Sequence, residues 1–333
     1  MKHLFLIIFL LTSIFGFSQN TSLYSIANKF HVPGDGSWDY ISIDSKGHLY
    51  ISHGTIVQIV DSKTGTVLGT VENLNGVHGI ALAETLNKGF ISSGKDSVVA
   101  IFDLNTFKLI EKVKVTGANP DAILFDPFSN KVFAFNGRSS NATVIDATTN
   151  KIVATIKLEG KPEFSATDKK GKIYVNIEDK SMLTCINTTT LAVEKSWTIK
   201  PGEEPSGLTG DFANDKLFIV CNNNKMIVFD IKTEKVVDSL TIGSRTDGTA
   251  FDEGLKRAYS SNGDGTLTVV EENGNKFKVL ESFSTQTGAR TICVDQKTHH
   301  IFLPTADFEP AANGERRPKV KPETFVILDV APR

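Results

Sequence analysis

The feature that most restricts this chain is an internal repeat with a period of a little over forty residues. Aligning "YISID", "AILFD", "FSATD", "LTGD", "TAFD" and "TICVD" puts Asp44, Asp126, Asp168, Asp211, Asp252 and Asp295 in one column. Ala83 of "GIALA" fills the second place, and the successive separations are 39, 43, 42, 43, 41 and 43 residues. A second column, later in each unit, holds Asp61, Asp103, Asp146, Asn187, Asp230, Glu271 and Asp329. Self-similarity at this period marks a repeat architecture, in which each unit buries its apolar faces against its neighbours.

Each unit carries four short runs of strand type, which in the first are "YISI", "HLYIS", "IVQIV" and "TVLGTV". They are rich in β-branched and aromatic residues and are separated by Gly, Asn, Asp or Ser. A recurrent D-x-x-T follows the third run: Asp61 with Thr64, Asp103 with Thr106, Asp146 with Thr149 and Asp230 with Thr233. A short acceptor side chain there bonds N–H groups two and three residues on and fixes a tight turn. Seven such units predict an all-β fold, a seven-bladed β-propeller of four-stranded blades. The last unit stops after its third run, "TFVILDV", whereas "SLYSIANKFHV" near the N-terminus is an orphan fourth strand. Pairing the two closes the ring and removes an exposed edge.

Residues 1–18 read as a cleavable signal peptide. Lys2 begins a short positive region, residues 4–11 are an unbroken apolar run, and Gly16 and Ser18 are small residues at −3 and −1 before Gln19. No Cys follows the run, so no lipoprotein attachment is expected. Residues 19–333 then form one propeller domain, monomeric and without a membrane span, in the periplasm or outside the cell. A net charge of −2 argues against a generic nucleic-acid binder. Of the three cysteines, Cys185 and Cys293 sit in apolar strand patterns and read as core, and Cys221, at a strand end, is the one to test as a reactive thiol.

In a propeller the first strand of each blade lines the central channel. The residue five before each first-column position is Asp39, His78, Asp121, Glu163, Ser206, Asp247 and Arg290. A position held by structural need repeats one residue type; this one is polar throughout and changes its chemistry from blade to blade, as an asymmetric ligand site on a symmetric scaffold requires. The ends of the second strands emerge on the same face and offer His53, Asn136 and Asn262, with Glu178 and Asn222 one residue further out. All are candidates for binding a small polar ligand or a peptide. His78, Asp121 and Glu163, on three consecutive blades, are candidate ligands for a divalent metal, the only cofactor these residues suggest. "NGDGT" at 262–266 reads as a hairpin turn rather than a calcium loop. The last unit is lengthened by "ADFEPAANGERRPKVKPE", with Arg316, Arg317, Lys319 and Lys321, read either as a lid over the mouth or as a solvated excursion.

The segments "WDYISID", "HLYISHG", "GVHGIAL", "GANPDAILFDP", "GKPEFSATD", "IYVNIED", "EEPSGL", "SSNGDGTLTVV" and "GARTICVD" together resemble the exported YVTN-repeat, YncE-like β-propellers over nearly the whole chain after residue 18. The resemblance implies a seven-bladed propeller outside the cytoplasm and does not carry a reaction with it. Related propellers include lactonases and copper- or haem-bearing domains, and the histidine ring expected of a copper-cluster propeller is absent, since only His78 occupies the inner ring. The leading reading is therefore an exported ligand-binding propeller. The alternatives are a lactonase-type hydrolase, with a cation on His78, Asp121 and Glu163 and a carboxylate or His53 activating water, and an interaction scaffold.

Overall fold

The structure, a computed structural model, describes residues 22–34, 36–310 and 318–333. Among them are seven four-stranded antiparallel sheets arranged as the blades of a β-propeller. The innermost strands touch one another in cyclic order, the last returning to the first. In the first blade the strands are Trp38–Ile43, His48–His53, Ile56–Asp61 and Val67–Val71. Blades two to six follow in the same up-and-down order at 77–114, 120–157, 162–198, 205–241 and 246–284. The seventh takes three strands from the C-terminal part and its outer strand, Tyr24–His31, from the N-terminal part. Tyr24 lies opposite Pro332 and His31 opposite Val326, so the ring closes by the expected pairing.

The core is divided in the same way. Seven apolar clusters fill the seven seams between neighbouring blades, as where Phe30, Phe302 and Phe325 of the last blade meet Trp38, Ile41 and Leu49 of the first. Alternation explains this: successive side chains of a blade strand stand on its two faces, and each face looks into one seam.

The two aspartate columns are turn devices on the face opposite the inner ring. Asp61 Oδ1 accepts hydrogen bonds from the N–H groups of Lys63 and Thr64 and from the Thr64 hydroxyl, and Asp103 and Asp146 repeat the pattern. The first column stitches blades together. Asp126 accepts from Thr167 Oγ1 at 2.7 Å, Asp211 from Lys256 at 2.8 Å, and Asp252 pairs with His299. Each second strand opens on, or directly after, a basic residue, namely His48, Lys88, Lys131, Lys172, Lys216, Arg257 and His300, and in six blades that residue lies directly opposite the second-column residue. Opposite charges in that position support the sheet.

Among the described residues no helix is long and apolar enough to cross a membrane. The segment read as a signal peptide lies outside the described residues, as do Arg316 and Arg317. All three cysteines are buried and free. Burial pushes the Cys221 thiol up to about 12, so the one cysteine singled out as reactive is a packed core thiol instead.

Candidate functional site at the channel mouth

Six of the seven inner-ring residues sit on a β-bulge. The register between first and second strands slips between Trp38 and Ile41, Val77 and Ile80, Pro120 and Ile123, Pro162 and Ser165, Pro205 and Leu208, and Thr246 and Gly248. Those intervals hold Asp39, His78, Asp121, Glu163, Ser206 and Asp247. A bulge bends the strand and re-aims its side chain; here it turns the ring residues out of the ladder. Their carbonyls are tied to the adjacent blade: Ser52 Oγ donates to His78, Ser92 Oγ to Asp121, Asn176 Nδ2 to Ser206 at 2.8 Å, Ser261 Oγ to Arg290 at 2.6 Å and Thr291 Oγ1 to Asp39 at 2.6 Å. Small polar residues in four second strands, and Thr291 next to Arg290, thus tie the ring to its neighbouring blades.

The side chains form a continuous charged arc across five blades. Arg290 Nε donates to Asp247 Oδ2 at 2.7 Å, and an Arg290 terminal nitrogen lies 3.6 Å from Asp39 Oδ1. Asp39 Oδ2 accepts from His78 Nδ1 at 2.8 Å, and the same nitrogen is 3.7 Å from Asp121 Oδ1. On the fourth blade Lys161 pairs with Glu163 at 2.6 Å and with Glu178. Gly94 makes room for the imidazole, since a Cβ there would stand 2.8 Å from His78 Nε2.

At the centre, Tyr40 of the first blade stacks on Phe164 of the fourth, with centroids 4.4 Å apart and planes at 18°. The Tyr40 hydroxyl is buried and has no hydrogen-bond partner among the described residues. Burial, then the fields of Asp121, Glu163, Asp39 and Asp247, hold its acidity far below that of an ordinary phenol. The residue after each ring position is Tyr40, Gly79, Ala122, Phe164, Gly207, Gly248 or Thr291. Two large residues among five small ones was the signal for this pair, and a polar search passes over it.

The carboxylates outnumber their counter-charges. Burial and the neighbouring Asp39 push Asp121 up to about 6, with His78 opposing. Burial and Asp121 push Glu163 up to about 8 against the pull of Lys161. Asp247 is raised by burial, which Arg290 only partly offsets. For His78, burial favours the neutral ring, but the Asp39 hydrogen bond and the Asp121 field outweigh it and raise its pKa.

Three donors, from Asp39, His78 and Asp121, lie within 4.8 Å of one another. Two of these, His78 and Asp121, belong to the metal set read from the sequence; the third there, Glu163, is paired with Lys161, which also pairs with Glu178. His53 is not at the mouth: it is 2% exposed, its Nδ1 faces Gln58 Oε1 at 2.8 Å, and its ring packs on Phe325. Asn136 and Asn262 are buried brackets, donating to Asn141 and Thr143 and to Thr266 and Thr268 respectively. Ser206 is buried and directs its hydroxyl at the Thr246 carbonyl, while Asn222 is exposed and bonds Glu204. The insertion of the last blade begins as a two-stranded stem, with Phe308 bridged to Val320 and packed on Trp38 at 5.9 Å. In "NGDGT", Asp264 accepts from Ser244 N and Thr266 N as a turn residue.

The chain matches no protein-family profile and no curated protein. Among solved structures it is similar to the Kuenenia stuttgartiensis hydrazine synthase, with a TM-score of 0.70 over 82% of this chain and 94% of that one. At 15% identity the likeness is one of fold, and it makes the chain a member of the propeller architecture without carrying an activity.

Proposed function

We propose that the protein is an exported YVTN-type propeller that binds a small cation at the mouth of its channel, a divalent metal ion being the ligand its donors suit. The observation that carries this reading is the convergence of Asp39, His78 and Asp121 within 4.8 Å. Ligands on one such ion lie roughly 2.0–2.2 Å from it, so modest rotations complete the set, and one imidazole with two carboxylates suits Zn²⁺ or Mn²⁺. The local charge favours the same ligand. Among the described residues Asp39, Asp121, Glu163, Glu178 and Asp247 are paired with Arg290, Lys161 and His78, and a bound cation relieves both the burial of charge and the repulsion that raise Asp121 and Glu163. The YVTN-like motifs and the N-terminal apolar run support the assignment to an exported family. A lactonase-type reaction needs a base beside the cation as well; His53 lies buried away from the mouth, which leaves a carboxylate such as Glu163 for that role.

Calorimetric titration of chelator-treated protein with Zn²⁺ and Mn²⁺ tests this. The expected result is one saturable site that Asp39→Asn weakens at least tenfold, about the effect of losing one charged ligand. Heats that do not saturate, or that Asp39→Asn leaves unchanged, refute it.

A further inference from the structure

On the opposite face, between the last blade and the first, a cleft of about 350 Å³ opens beside the strand that closes the ring. Lys46, Lys63, Lys297, His300 and Ser62 line it, together with Asp295 and Asp329. The two carboxylates are already satisfied. Asp329, 2% exposed, accepts from His300 Nδ1 at 2.6 Å and from Asn28 at 2.8 Å, and Asp295 accepts from Lys297 N and Thr298 Oγ1. The donors are not. Ser62 is only 7% exposed, yet its hydroxyl has no hydrogen-bond partner among the described residues and opens into the cleft. Gly47 lies directly over it, where a Cβ would stand 3.0 Å from the Ser62 oxygen. The Lys63 ammonium and His300 Nε2 are likewise without a protein partner among the described residues, and Lys297 reaches only the Ser45 carbonyl. Other seams are stitched across this face by paired side chains, such as Asp211 with Lys256 and Asp252 with His299.

A hydroxyl that bonds no other described group and opens into a cleft is a donor and acceptor that a ligand there can use. Three lysines lining the cleft select for negative charge, and the volume is that of a small-molecule site. We infer that this cleft is a second binding site, for a small dianion of the phosphate-ester class, with Lys63 and Lys297 supplying charge and Ser62 and His300 the directed hydrogen bonds. It does not depend on the cation site across the molecule.

The test is calorimetric titration of the full chain with inorganic phosphate and with glycerol phosphate at low ionic strength, with matched chloride as control. Ser62→Ala and Lys63→Gln remove side-chain donors that have no hydrogen-bond partner among the described residues, so both variants are expected to keep the fold. Saturable phosphate binding that chloride does not reproduce, that each variant weakens about tenfold, and that Asp121→Asn at the mouth leaves intact, supports the site. Heats that fail to saturate, or phosphate binding equal in the variants, overturn it. Saturation by glycerol phosphate but not by inorganic phosphate also supports it and places the ligand's organic part in the cleft.

Discussion

The Asp121→Asn substitution removes one carboxylate from the mouth while keeping its shape, and it moves stability and binding in opposite directions. Asp121 ionises in the folded protein near 6 rather than 3.8, because it is buried and faces Asp39. At 1.36 kcal/mol per unit, a rise of about two units makes the ionised group cost the fold up to about 3 kcal/mol. The neighbouring acids share part of that cost, so the expected gain for the variant is on the order of 1–3 kcal/mol. The sign follows from which state holds the proton. Below pH 4 both folded and unfolded chains are protonated at this site and the variant gains nothing. Between about pH 4 and 6 the unfolded chain ionises first, wild-type stability falls, and the gap opens; above that it is constant. Urea unfolding of both proteins at pH 4 and pH 8 measures the difference directly. The variant should also lose divalent-cation binding at pH 8. A variant less stable than wild type at pH 8, or a gap independent of pH, refutes the view of Asp121 as a strained, function-bearing acid.

Two further predictions follow from the same electrostatics. His78 should titrate above an ordinary histidine in nitrogen-detected NMR, and Asp39→Asn should lower its pKa; an unchanged value would show that the 2.8 Å contact does not hold the proton. The stability His78 gains from Asp39 is present at low pH and lost as pH rises through its folded pKa. Glu272, only 5% exposed, has two carboxylate oxygens without partners among the described residues, and burial pushes it up to about 7. Glu272→Gln should therefore stabilise the protein at pH 8 by roughly 1–3 kcal/mol and little at pH 4.5, read by thermal denaturation at both values.

The blades were legible because the residues that turn the chain are forced by local geometry. An Asp accepting from the N–H groups two and three residues on recurs wherever the same turn recurs, so Asp61, Asp103 and Asp146 betray the period. The inner ring was legible for the opposite reason: the backbone is held by neighbours such as Ser52 and Ser261, which leaves Asp39, His78 and Arg290 free to vary. The second ring was misread by alternation. A strand turns successive side chains to opposite faces, so His53, Asn136 and Asn262 look into a seam while Ser52, Asn176 and Ser261 look toward the next blade's carbonyls. Lys161 was missed because the pattern marks Glu163, not the residue two before it, and Tyr40 with Phe164 because their meeting across the axis depends on closure of the whole ring.

That closure has a consequence for how the protein is made. Tyr24–His31 must wait for Val326–Pro332, some three hundred residues later, before it gains its strand partner. Until translation nears its end the ring stands open like a bracelet with both clasp halves bare, and a sticky strand is on offer to any other nascent chain.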